Sequence, residues 1–414
     1  MLIRNALVYT GQKGFEKKDL RIEEERIAED KAQSKANVTD MDSADSEEVI
    51  DAEGLYALPG LVDIHLHGAA GDDLCDADPE ALRRIAEFEA VNGIAAFCPA
   101  VMTCGEEKLK EVLGAAERYM KEDSCAAVRD CGHKPAAAVA GVRMEGPFLS
   151  PRKAGAQDPQ FIRSAAPDAE NRSGADFFQE LQRQYGGIVR ILDIAPEEPG
   201  CMEMIRELSK EVRISVAHTT ADYDTASEAF CAGARQLTHL YNAMPGIHHR
   251  SPGPVIAALE YNTNKKSGVS AEIIADGIHI HPAMVRFTFR AFGPENMILI
   301  SDSMRACGLP AGQYELGGQA VTVLSEKEKK KAVLTDHPET LAGSVASLFD
   351  CLRCAVTEME IPLPDAVRAA SENPAKALGI FGDYGTLTAG AYANVVLTDR
   401  ELNIKAVILR GKPL

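Results

Sequence analysis

Six side chains in this sequence are of the types that share an ion or shuttle a proton: His65, His67, Glu145, His218, His239 and Asp302. Neutral imidazole with carboxylate is the usual donor set for Zn²⁺, Fe²⁺ and similar ions. His65 and His67 stand two apart in an apolar run, LVDIHLH. Side chains alternate along a strand with period two, so both imidazoles fall on one face and can bind one ion. Glu145, His218, His239 and Asp302 lie at or near the ends of four further strand-like runs. Taken singly, each has a plain structural use. A buried His commonly serves as a hydrogen-bonded core residue, and Glu145 or Asp302 could cap a helix. Five separate strand ends, each offering a ligand or a base, together favour a metal site over that plainer reading. A divalent ion lowers the pKa of water from about 16 to about 7. A carboxylate beside such a water can take its proton as a general base.

Such convergence needs a scaffold that gathers strand ends. From residue 58 onward, apolar strand-like runs alternate with helical patterns. The runs are LVDIHLH (61–67), GIAAFCPAV (93–101), AVAGVRMEG (138–146), IVRILDIAP (188–196), RISVAHT (213–219), RQLTHLYN (235–242), VSAEIIAD (269–276) and MILISDS (297–303). Eight β–α units over about 250 residues predict a (β/α)8 TIM-type barrel, whose catalytic groups sit at the C-terminal ends of the strands. A doubly wound sheet is the alternative, but no G-x-G-x-x-G follows the first strand. Residues 1–57 and 380–414 read as short alternating strands with Gly turns. They predict one small β-domain, split in sequence by a barrel domain at 58–379. Residues 311–340 predict a β-hairpin excursion, and 343–358 and 364–378 predict two helices.

Lys and Arg total 44 against 62 Asp and Glu, a net charge of −18, in a chain of 414 residues. That balance argues against a nucleic-acid or membrane-surface binder, which needs clustered cations, but leaves room for a small anionic substrate. No apolar stretch is long enough for a transmembrane helix, and the N-terminus does not read as a secretory signal. The expectation is a cytoplasmic protein with reduced thiols. Cys351 and Cys354 fall on a helical pattern and read as packing residues. His281 reads as structural, and His133 and His337 as solvated. The acidic 23–49 segment, with its run DMDSADSEE, reads as an exposed insertion.

The motifs LPGLVDIHLHGAAG, MEGPFLSPRKAGAQ, THLYNAMPGIHHRSPG, ADGIHIHP, ISDSMRACG, LAGS and NPAKALGI, in this order, resemble the N-acetylglucosamine-6-phosphate deacetylase family of the amidohydrolase superfamily. The likeness runs from about residue 55 to the C-terminus. It implies a barrel with a small β-sandwich domain formed by both termini. It also implies metal-dependent hydrolysis of the N-acetyl group of N-acetylglucosamine 6-phosphate, giving glucosamine 6-phosphate and acetate. Metal-activated water is the implied nucleophile and Asp302 the implied base and acid. Glu145, His218 and His239 match the family's principal metal ligands. His65 and His67 leave room for a second ion, so one or two divalent ions per chain, zinc or iron, are expected. His279 matches the acetamide contact. Asn242, Ala243 and Arg250 match the sugar-phosphate contacts; Ala156, Gln157, Leu341, Ala342 and Gly343 match further sugar-contacting loops. The family's Arg can reach across a subunit boundary, so a homodimer is implied. The nearest rival is deacetylation of the N-acetylgalactosamine epimer. A cyclic-amide or deaminating amidohydrolase often carries a Lys on the fourth strand, and IVRILDIAPEE has none. A non-catalytic sugar-phosphate sensor has no need of Asp302.

Overall fold

A computed structural model of the chain describes residues 1–29, 48–126, 134–264, 268–326 and 329–414. Most of the acidic insertion, His133 and part of the charged tip at 325–331 lie outside the described residues.

Eight parallel strands form the barrel: β1 Leu61–Leu66, β2 Ile94–Val101, β3 Val142–Met144, β4 Val189–Ile194, β5 Arg213–Val216, β6 Gln236–Leu237, β7 Ser270–Ile274 and β8 Met297–Ile300. They pair in sequence order. The ring closes where the Asp302 amide, just past β8, donates to the His65 carbonyl at 2.9 Å. Each strand is followed by its helix: α1 Pro79–Val91, α2 Glu106–Ala126, α3 Gly174–Gln184, α4 Cys201–Leu208, α5 Tyr223–Ala232, α6 Gly253–Asn264, α7 Pro282–Phe292 and α8 Leu348–Thr357. The strands lie between the barrel interior and the helix ring, which is why every residue of β2 is buried and the strand reads as one apolar run. Local signals set the helix starts. Asp78 caps α1 ahead of Pro79, and Ser173 with Asp176 and Ser347 with Asp350 form capping boxes on α3 and α8.

The barrel interior changes character with height. Val62, Ile64, Ala96, Cys98, Ile191, Ile274, Ile298 and Ile300 fill its lower part, and Ala375 packs with them in one cluster. Above them the buried residues turn polar, beginning with Arg143, Asp193, Thr238 and Glu272. Apolar layers hold the barrel together, and the polar layers above carry the site.

Four expectations are refined. The run at 138–146 is one strand only in sequence: Gly141, at φ +142°, separates Ala138–Val139 from β3. The hairpin expected at 311–340 is a three-stranded antiparallel sheet, Gly312–Leu316, Gln319–Glu326 and Lys329–Leu334. The helix expected at 364–378 breaks at Ser371 into α9 Leu363–Ala370 and α10 Glu372–Leu378, and the Ser371 hydroxyl donates to the Val367 carbonyl at 2.6 Å. The helix expected from 343 begins at Leu348. The preceding segment instead runs along the end of β8, where the Ser344 amide donates to the Asp302 carbonyl at 2.7 Å.

Both termini share one eight-stranded sheet. Leu2–Tyr9, Phe15–Glu23, Arg26–Ile27, Val49–Asp51 and Tyr56–Pro59 join Val395–Thr398, Ile404–Leu409 and Lys412–Pro413 around a separate core that includes Ile3, Val8, Leu20, Val395 and Ile408. Cys351 and Cys354 are buried free thiols in the packing of α8. His281 caps α7, its ring accepting from the Ala283 amide at 3.2 Å. Among the described residues no helix is long and apolar enough to cross a membrane.

Candidate active site

The six chemistry-bearing residues meet at the mouth of the barrel, all of them buried. Glu145 follows β3. Its Oε1 lies 3.0 Å from His218 Nε2 and 3.1 Å from His239 Nε2, and those two nitrogens are 3.1 Å apart. Its Oε2 lies 3.2 Å from His67 Nε2 and 3.5 Å from His65 Nε2. Asp302 Oδ1 lies 3.3 Å from His67 Nε2 and 3.5 Å from His65 Nε2. Two donor clusters result, Glu145 with His218 and His239, and Asp302 with His65 and His67. Within each, the donor atoms lie within 4.8 Å of one another. Three of these residues occupy the left-handed backbone region: His218 at φ +41°, His239 at +28° and Asp302 at +49°. Such strain persists only where surrounding structure over-determines it, and it concentrates at functional sites.

Outer hydrogen bonds aim the rings. His67 Nδ1–H donates to the Ala100 carbonyl at 3.1 Å, and His218 Nδ1–H to the Lys153 carbonyl at 2.8 Å. His65 Nδ1–H donates to Glu272 Oε2 at 3.2 Å. Each leaves an Nε2 lone pair facing the cluster, the tautomer a metal ligand needs. The carboxylates are set to stay charged. Burial opposes ionisation of Asp302, yet positive charge on His65 and His67, a role that passes to a bound cation once those rings are neutral ligands, holds its carboxyl down at about 2. Burial likewise opposes ionisation of Glu145, and the surrounding histidines hold it well below the usual carboxylate range. His65 Nε2 and Glu145 Oε2 are buried without a hydrogen-bond partner. Orphaned lone pairs beside ionised carboxylates fit a divalent cation.

A cavity of about 440 Å³ opens over the clusters. His279 stands in its wall, with Nδ1 bonded to Asp276 Oδ2 at 2.7 Å. Burial lowers the pKa of His279, and the Asp276 carboxylate outweighs burial and raises it. The same carboxylate accepts the Ile278 and His279 amides at 2.8 and 3.0 Å, so ring and backbone turn are fixed by one group.

The amidohydrolase family model matches residues 56–414. The chain belongs to the amidohydrolase family. N-acetylglucosamine-6-phosphate deacetylase from Bacillus subtilis is 37% identical over 355 residues, spanning 86% of this chain and 83% of that one. N-acetylgalactosamine-6-phosphate deacetylase from Escherichia coli O157:H7 is 33% identical, spanning 86% of each. A solved structure of a mutant N-acetyl-D-glucosamine-6-phosphate deacetylase from Mycobacterium smegmatis, in complex with N-acetyl-D-glucosamine-6-phosphate, superposes with a TM-score of 0.84 at 30% identity. The match covers 100% of this chain and 98% of that one.

In this amidohydrolase the residues read from sequence fall at different depths. Ala156, Gln157, Asn242, Ala243, Leu341 and Gly343 line the cavity with His279. Gln157 is fully engaged, its Oε1 accepting the Thr103 amide at 2.7 Å and its amide nitrogen meeting Met102 Sδ at 3.4 Å. Ala342 is not in the wall. Its methyl packs in an apolar cluster with Met102 and Met304. Arg250 is exposed, outside the cavity of its own chain. Sequence reasoning missed Asp276, although ADGIH places it three residues before His279. It also missed Arg152 and Lys153, the Lys and Arg side chains that do line the cavity. They stand in RKAG beside residues singled out for sugar contact, and the loop is pinned to His218 at both the Ser150 amide, 2.9 Å from the His218 carbonyl, and the Lys153 carbonyl. At Gly155, φ +60°, a Cβ would come within 3.3 Å of the His218 ring, so the loop crosses that imidazole where only glycine fits easily.

Proposed function

We propose that this amidohydrolase removes the N-acetyl group of N-acetylglucosamine 6-phosphate, releasing glucosamine 6-phosphate and acetate. One observation carries the reading: two ligand clusters at the floor of a cavity whose wall holds a carboxylate-oriented histidine and two cations. The named activities of the relatives above support it. Glu145, His218 and His239 would hold one divalent ion, and His65, His67 and Asp302 a second; zinc or iron suits this donor set. A divalent cation bound there supplies Lewis acidity, lowering the pKa of water and stabilising negative charge on oxygen.

The remaining roles belong to the chain's own groups. Asp302, ionised within the second cluster, takes a proton from the attacking water and returns it to the departing amine nitrogen. Protonated His279 donates to the acetamide oxygen as negative charge develops there, and one such donor contributes about 3 kcal/mol. Asp276 keeps that imidazole aimed. Arg152 and Lys153 attract the phosphate, and Met102, Tyr241 and Leu316 line the wall and exclude water. The phosphorylated substrate fits a cytoplasmic enzyme. The assembly is a homodimer in which Arg250 serves the partner's site.

Acetate release from both N-acetylhexosamine 6-phosphate epimers, before and after chelation, tests the reading. The gluco epimer should be hydrolysed faster, with activity lost on chelation and restored by Zn²⁺ or Fe²⁺. Preference for the galacto epimer would place the chain with the Escherichia coli relative instead. Full turnover after complete metal removal would reject the mechanism.

A further inference from the structure

Beneath the ligand clusters lies a second, fully buried set of charges that the chemistry above does not use. Arg143 Nε and Nη2 bond the two oxygens of Asp193 at 2.7 and 2.8 Å, and Nη1 bonds Glu272 Oε1 at 2.5 Å. Thr238 Oγ1 accepts from Arg143 at 2.8 Å and donates to Asp193 at 2.7 Å. The guanidinium, both carboxylates and Thr238 are all 0% exposed. One cation faces two anions, so the group carries a net negative charge in the barrel interior, a costly arrangement unless something positive lies nearby.

The excess charge has a direction. Glu272 gives Oε1 to Arg143 and Gln236, which leaves Oε2 for the site above. That oxygen accepts from His65 Nδ1 at 3.2 Å and from the His239 amide at 3.2 Å. One atom therefore touches a residue of each ligand cluster. At His65 it fixes the ring and its tautomer. At His239 it bonds the backbone at φ +28°, where the chain is strained.

We propose that Glu272, clamped by Arg143, is a positioning residue that sets His65 and His239 as ligands of the same metal centre. The inference rests on the reading of the two clusters as that centre. A carboxylate behind a ligating imidazole makes it a better donor and holds its orientation, and loss of such a partner weakens metal affinity about 10- to 100-fold. Arg143 keeps Glu272 from turning away, and Asp193 and Thr238 keep Arg143 in place.

The test uses the full chain as wild type, E272Q and E272D, stripped by chelation and titrated with Zn²⁺ against a competing chromogenic chelator. E272Q keeps the shape and loses the charge. E272D keeps the charge opposite Arg143 but is one methylene too short to reach Arg143 and His65 together. Both should bind zinc about 10- to 100-fold more weakly than wild type, with kcat reduced more than KM is raised. If only charge balance matters, E272D binds zinc like wild type and the inference is overturned. Folded variants that both keep wild-type affinity overturn it too. A wild type that takes up no zinc overturns the metal-centre reading itself. A further measurement leaves position 272 intact. In ¹⁵N-histidine-labelled wild type, the His65 Nδ1–H should give an exchange-protected imidazole signal that H65Q removes; its absence from the folded protein would overturn the inference.

Discussion

Asp302 shows how much depends on one residue's placement. Its amide closes the barrel on His65, its carbonyl receives the Ser344 amide, and its carboxylate lies 3.3 Å from His67. With backbone and side chain both committed, D302N should keep the fold while removing the proton carrier. We expect kcat to fall by about 10²- to 10⁴-fold, with the ion at Glu145, His218 and His239 retained. Steady-state kinetics with elemental analysis of the purified variant checks both halves, and near-normal turnover would reject the proton-transfer role. The six principal residues were legible in the sequence because each closes or follows an apolar run, and a histidine or acid ending such a run is conspicuous. Asp276 was not, because its role is to orient His279 across a three-residue turn, and nothing in composition distinguishes an orienting acid from a capping one. Glu272 and Arg143 were hidden differently. They lie inside runs whose polar residues look like the solvent-facing half of an alternation, and only barrel closure turns that half inward.

At the scale of elements, the strands are as short as the site requires. The run at 235–242 extends eight residues, yet β6 is only Gln236–Leu237, because the chain leaves the ladder to place His239 and Tyr241 at positive φ. Apolar pattern marks where a strand lies but not where strain ends it. The eight runs and the split terminal sheet were therefore legible, whereas strand ends, the third strand of the 311–340 excursion and the break at Ser371 depend on tertiary contacts. The loop after β3 has the clearest functional consequence. Its Ser150 amide and Lys153 carbonyl both bond His218, which holds Arg152 and Lys153 over the ligand cluster. Arg152 keeps a further anchor in Thr220 Oγ1 at 2.7 Å. A dianionic phosphate gains most from fixed cations. R152A and K153A should each raise KM about tenfold for the 6-phosphate, a loss of about 1.4 kcal/mol, and change the KM for free N-acetylglucosamine far less. Equal effects on the two substrates would exclude a phosphate role for this loop.

The whole molecule carries a net charge of −18, and two of the carboxylates counted in it, Glu145 and Asp302, are buried together in the donor clusters. Bound cations offset this locally and bind only the folded state, so they should raise the unfolding temperature. An ion present at a hundred times its dissociation constant adds about 2.7 kcal/mol. Calorimetry before and after chelation should show the midpoint fall and then recover with added Zn²⁺; an unchanged midpoint would count against a tightly held ion. The position of Arg250 raises a larger question. It lies in an exposed loop, 246–250, with Ile247 at 39% exposure, and Tyr241 at the loop's origin bonds Thr288 of α7, whose Met284 and Phe287 are also exposed. Exposed apolar residues beside a cationic loop suit a subunit interface. If Arg250 serves the partner's site, R250A and D302N fail in complementary ways. In a mixed dimer the R250A chain keeps its own Asp302 and receives Arg250 from the D302N chain, which gives one intact site. Unfolding and refolding the two variants together in equal amounts should therefore restore about a quarter of wild-type activity at low substrate, since about half the dimers are mixed and each has one competent site. If Arg250 acts within its own chain, the mixture should do no better than the average of the two variants measured alone.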